Sequence, residues 1–99
     1  MLNITNAKDG DKLTVELEGR LDTTTSPQLE ENMSEQLGGV TQLTFDLAKL
    51  EYISSAGLRV LLSSQKTMNK QGEMIVKNVS EEVQEIFEVT GFSDIFTIQ

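Results

Sequence analysis

The stretch Leu50-Glu51-Tyr52-Ile53-Ser54-Ser55-Ala56-Gly57-Leu58-Arg59 leaves an apolar strand and passes through two serines into a helical pattern with no loop between them. Beyond it, Leu58, Leu61, Leu62, Gln65 and Met68 fall on one helical face until Asn69-Lys70-Gln71-Gly72 ends the pattern. A strand that runs straight into a helix is the first half of a strand-helix-strand crossover, so this segment points to an α/β fold with parallel strands. Working outward, Met74 and Val76 supply the next short strand. Ser80-Glu81-Glu82-Val83 opens a third helix packed through Val83, Ile86 and Phe87 and ended by Gly91, and Ile95 to Ile98 reads as a last strand.

Toward the N-terminus the period changes. Leu43, Phe45 and Leu47 alternate with polar residues, as do Leu2 and Ile4 and then Leu13, Val15 and Leu17. Asp9-Gly10 between the last two runs is a hairpin signal. Ser26-Pro27 reads as an N-cap and first helical residue, Leu29, Met33 and Leu37 form the stripe, and Gly38-Gly39 stops it. The polar positions Thr14, Glu16 and Glu18 leave one sheet face wet, so the helices should pack mainly on the other. The expectation is an α/β fold: one domain over residues 1–99, a mixed sheet of about five strands, and right-handed crossovers.

Composition narrows the chemistry. The chain has 8 Lys and Arg against 16 Asp and Glu, a formal charge of -8, which disfavours a nucleic-acid binder because phosphate contacts need clustered cations. With no His and no Cys there are no thiol nucleophiles, no His-based dyads, no common zinc sites and no disulfides. Neither a catalytic group nor a cofactor or metal site is expected. The carboxylates Asp22 and Asp46 sit where short acids favour turns and caps, and a metal site combining them with Glu51 has no support in the spacing. The longest apolar runs, such as Val60-Leu61-Leu62, fall far short of the ~20 residues needed to cross a bilayer, and the first ten residues hold no apolar leader segment. A cytoplasmic protein without membrane insertion is the expectation.

The two serines admit two readings. Either Ser54 or Ser55 caps the helix, worth about 1 kcal/mol, or a serine hydroxyl at the sheet edge accepts a phosphate beside free N–H groups at the helix start. Gly57 allows close approach of another backbone. Arg59, Lys66 and Lys70, with no acid between residues 58 and 70, make the one locally basic surface of an acidic chain.

The segment resembles the signature of STAS domains of the anti-sigma factor antagonist group, which runs aspartate, serine, serine or threonine, glycine, leucine at this same turn. The similarity extends through Leu17-Glu18-Gly19-Arg20-Leu21-Asp22, Phe45-Asp46-Leu47, Gly72-Glu73-Met74 and the Val83-to-Phe92 helix with its Gly91 exit. Ser54 stands where the family often has aspartate, and Ala56 where a second hydroxyl residue is common. The resemblance implies a partner-switching protein that is itself no enzyme. Unphosphorylated, it would bind an anti-sigma factor serine kinase and so release a sigma factor; phosphorylation would switch it off, and a serine phosphatase would reset it.

On this resemblance the phosphate acceptor is Ser55, with Ser54 the second choice. The partner surface comprises Ser54, Ser55, Ala56, Gly57, Leu58, Arg59, Leu62 and Asp22, although Leu58 and Leu62 also fit the core. The protein would be a monomer or weak dimer. The alternative is a constitutive STAS docking subunit of a larger lipid-transport or signalling assembly, using the same turn without phosphorylation.

Overall fold

The computed structural model describes residues 1–99. In chain order it contains β1 (Leu2–Asp9), β2 (Lys12–Leu21), α1 (Ser26–Gln36), β3 (Gln42–Ile53), α2 (Ser55–Gln71), β4 (Glu73–Lys77), α3 (Glu81–Thr90), a 3-10 turn (Phe92–Asp94) and β5 (Thr97–Ile98). The sheet order is β1-β2-β3-β4-β5. The first pair is antiparallel and the other three are parallel. Each parallel crossover steps one strand in the same direction, so crossovers of one hand bring all three helices onto the same face. The mixed five-strand sheet with helices on one face matches the sequence expectation.

The opposite face stays wet, carrying Thr14, Glu16, Glu18, Thr44 and Asp46 between the buried positions. Beneath the helices, 23 buried apolar side chains form one contiguous cluster, so the domain has a single core. The β1-β2 hairpin turns at Gly10, whose φ of +63° is the left-handed conformation that glycine adopts without cost.

β3 departs from simple alternation. Glu16 pairs with Asp46 but Glu18 pairs with Lys49, and Gly19 pairs with Leu50 but Arg20 with Tyr52. Two bulges therefore add one residue each to β3. They shift the inward phase from Leu43, Phe45 and Leu47 to Leu50 and then Ile53, all buried. Asp46 lies at the first bulge rather than at a strand end. One of its carboxylate oxygens accepts from the Ala48 N–H (3.1 Å) and from Asn78 Nδ2 (3.0 Å), stapling the bulge to the β4-α3 connection.

Three helix and strand ends differ from the sequence reading. Thr25, not Ser26, precedes α1; Ser26 is its first residue, and its hydroxyl turns back to donate to the Asp22 carbonyl. α2 continues through Asn69 to Gln71, because Gln71 Nε2 donates to the Leu37 and Val40 carbonyls (2.7 and 2.6 Å) and holds the last turn against the α1-β3 connection. The final strand is confined to Thr97–Ile98. Ile95 and Phe96 fall outside it, because the Phe92–Asp94 turn before them stacks Phe92 on buried Phe96 (5.4 Å between ring centres), which also meets Phe87 edge-on at 5.6 Å.

Candidate functional site: the turn from β3 into α2

The carboxyl ends of β2 and β3 lie side by side, and each feeds a helix, α1 or α2. In open α/β sheets ligands bind outside the carboxyl ends of the strands. Here Ser54 donates its N–H to the Leu21 carbonyl at 2.9 Å, tying the β3 exit to the last residue of β2. Its backbone is extended (φ -96°, ψ 174°), and its hydroxyl accepts from the Gly57 N–H at 3.4 Å. Ser54 is thus the N-cap of α2, its carbonyl taking the Leu58 N–H at 2.9 Å.

Ser55 is the first helical residue and is exposed. Its hydroxyl makes no hydrogen bond within the protein, whereas that of Ser54 is engaged. The N–H groups of Ser55 and Ala56 belong to the first turn and have no partner inside the helix. Half-buried Ala56 sits on the side facing α1.

Two of the proposed surface residues prove to be core. Gly57 is buried, and a Cβ there would stand 2.7 Å from Leu21 Cγ and 3.0 Å from Ile53 Cγ1. The close approach that Gly57 permits is therefore of α2 to the side chains at its own sheet edge, not of an outside backbone. Leu58 is only 2% exposed and packs in the central cluster, so its side chain cannot face a partner; the helical turn rotates it onto the sheet. Arg59 is exposed and Leu62 half-buried. Ser55, Arg59, Leu62, Lys66 and Lys70 follow one another at spacings of four, three, four and four, a single stripe along α2. Arg59, Lys66 and Lys70 are exposed, and none makes an ion pair; the one salt bridge of the protein joins Arg20 to Asp22 at 4.0 Å.

Asp22 lies just past the Leu21 carbonyl that receives Ser54. Its Oδ1 accepts from the Thr24 hydroxyl (2.7 Å), the Thr24 N–H (3.0 Å) and the Thr25 N–H (3.1 Å), so the carboxylate shapes its own loop. The Thr24 hydroxyl, helped by the two N–H groups and opposed by partial desolvation, holds the Asp22 carboxyl below the usual carboxylate range. Thr25 Oγ1 locks the loop further by accepting the Asp22 N–H (2.8 Å) and donating to the Arg20 carbonyl (2.9 Å).

Between this loop and α2 runs a cleft of about 180 Å³ lined by Thr23, Ser26, Pro27, Glu30, Ala56, Arg59 and Val60. The α1 side of this cleft escaped the sequence reading. Its signal was the run Asp22-Thr23-Thr24-Thr25-Ser26-Pro27, an acid whose hydroxyl neighbours fold back on it before the helix begins.

Comparisons with known proteins agree with this fold. The STAS domain profile matches residues 3–99. The chain is 38% identical over 84 residues to BtrV of Bordetella bronchiseptica, which carries an anti-sigma factor antagonist name, covering 83% of this chain and 72% of that protein. It is 30% identical over 94 residues to an anti-sigma-B factor antagonist of Listeria monocytogenes, covering 93% of this chain and 82% of the relative. Among solved structures, an anti-sigma factor antagonist from Mycobacterium paratuberculosis superposes with a TM-score of 0.89 at 20% identity, over 99% of this chain and 85% of the other. Unphosphorylated SpoIIAA superposes with a TM-score of 0.75 at 18% identity, over 100% of this chain and 87% of the other. At these identities the two superpositions establish the fold. The matched profile and the sequence relatives establish more: the chain belongs to the STAS domain family, in its anti-sigma factor antagonist group.

Proposed function

We propose that the unphosphorylated protein captures an anti-sigma factor serine kinase through the Ser55 turn and the exposed stripe of α2, and that a sigma factor is thereby released. The kinase then ends the interaction by phosphorylating Ser55. The γ-phosphoryl group of ATP passes to Ser55 Oγ: the Oγ–P bond forms as the P–O bond to ADP breaks, and the hydroxyl proton leaves to a base of the kinase. A serine phosphatase resets the switch by hydrolysis. The protein supplies no catalytic group, the nucleotide belongs to the kinase, and the protein acts in the cytoplasm.

The observation that carries this reading is the division of labour between the two serines. Ser54 is held as the helix cap, while Ser55 offers a free, exposed hydroxyl one residue later. A phosphate on Ser55 adds about -1.5 to -2 charge. An anion near a helix start gains only ~0.3 to 2 kcal/mol, too little to refold a domain whose turn is already tied to β2. The charge is therefore read by the partner. Burying it uncompensated at an interface costs roughly 2 to 5 kcal/mol, or about 30- to 4000-fold in affinity. That range suffices for an on/off switch.

The test is a pull-down of a candidate anti-sigma kinase from the same source by wild type, Ser55→Ala and Ser55→Asp. Capture by Ser55→Ala and its loss in Ser55→Asp support the switch. Equal capture by the two variants contradicts it and favours the constitutive docking subunit. In that second reading, Ser54 and Ala56, where the family often carries aspartate and a hydroxyl, mark a turn used only for docking.

A further inference from the structure

We infer that Arg59 is the internal counter-ion of a phosphate on Ser55, so that phosphorylation also engages the first cation of the α2 stripe in competition with the partner. This rests on the switch reading above and adds the residue through which the charge is handled.

The two residues are four apart on one exposed helix face, which makes their side chains neighbours. The anion would be N-terminal to the cation, the favourable order for such a pair. Arg59 has no ion-pair partner. The next cation on the stripe, Lys66, is 11 residues beyond Ser55, about 16 Å along the axis and out of reach. The planar guanidinium can take two phosphate oxygens at once, which a lysine cannot do.

One carboxylate competes for Arg59. Glu30 lines the same cleft from α1, with a single negative charge against nearly two on the phosphate. Asp22 does not line that cleft and is engaged by Arg20, Thr24 and Thr25. With Ser55 free, Arg59 is available to an acidic group of the partner. With Ser55 phosphorylated, it is biased about twofold toward its own helix, while Lys66 and Lys70 stay on the stripe unaffected. A single modification thus adds up to two negative charges, of which Arg59 offsets one, and competes with the partner for that cation, leaving the turn net negative.

Phosphoserine placed genetically at position 55 of the full chain makes the test independent of any kinase. Phosphorus NMR titration then gives the second phosphate pKa, near 6, for the otherwise wild-type chain and for Arg59→Gln, Arg59→Lys and Lys66→Gln backgrounds. The pair predicts a value about 0.3 lower in the wild-type background than in Arg59→Gln. Arg59→Lys should keep part of this difference, Lys66→Gln should keep all of it, and high salt should shrink it. A pKa that does not change on Arg59→Gln overturns the inference. So does an equal change on Lys66→Gln, which would assign the effect to the general field of the helix. Failure of a kinase to modify Ser55 would sink the switch reading and leave this titration standing.

Discussion

The Ser54 N–H donates to the Leu21 carbonyl at 2.9 Å, and this bond extends the β2-β3 pairing one residue past Ile53 to tie the exit of β3 to the end of β2. The Ser54 side chain adds little to this, its contact with the Gly57 N–H being long at 3.4 Å. Ser54→Ala should therefore cost only about 0.5 to 1 kcal/mol, the lower range for a lost cap. Ser55→Ala, which removes an exposed hydroxyl with no partner, should stay within about 0.5 kcal/mol of wild type. Urea denaturation of both variants checks the assignment; a larger loss from Ser55→Ala would mean that the cap and acceptor roles are reversed.

Gly57→Ala sets two effects against each other. In an exposed helix the change would gain about 1 kcal/mol. Here the new methyl would stand 2.7 Å from Leu21 Cγ and 2.9 Å from Leu21 Cδ2, on a side chain that is fully buried and cannot move aside freely. Overpacking should win, with a net loss of about 1 to 3 kcal/mol. Thermal unfolding reads it, at roughly 4 to 8 °C per kcal/mol for a domain of this size; an unchanged or raised Tm would contradict the packing described for α2.

Asp22 gives a pH signature. Hydrogen bonds from Thr24, first its hydroxyl, and from the Thr25 N–H lower its folded-state pKa below 3.8. A lowered folded pKa contributes stability above the unfolded value and loses it as pH falls through the folded one. Asp22→Asn should thus be less stable than wild type at pH 7, with the difference closing below about pH 4. A gap that persists unchanged down to about pH 2.5 in denaturation curves would show that the carboxylate charge is not what holds the loop.

Gln71→Ala probes the other end of α2. The side-chain amide serves the Leu37 and Val40 carbonyls together, so its loss should cost about 0.5 to 1.5 kcal/mol. Amide exchange should rise first in the last turn of α2, ahead of Leu58 and Leu61 in the core. Uniform exchange along the whole helix would contradict this role for Gln71.

The α/β order was legible because each element carries its own period and punctuation, from Asp9-Gly10 to Gly91. The turn was legible because a strand exit, two serines and a helical stripe are contiguous. What stayed hidden depended on contacts distant in sequence. The two β3 bulges follow from registry with β2, and the phase change from Leu47 to Leu50 makes sense only once that registry is known. Leu58 and Leu62 share a stripe of apolar residues, and only the docking of α2 on the sheet separates the buried one from the half-buried one. The α1 wall of the cleft needed the fold to bring Ser26 and Glu30 opposite Ala56 and Arg59.

The central claim, that Ser55 is the phosphorylated switch, is tested most directly by incubating the protein with ATP and a candidate anti-sigma kinase and mapping the product by intact-mass and fragment mass spectrometry. The account predicts a single addition of about 80 Da, one HPO3 group, localised to Ser55 and accompanied by release from the kinase. No addition while the kinase stays bound, or an addition confined to Ser54, would contradict it.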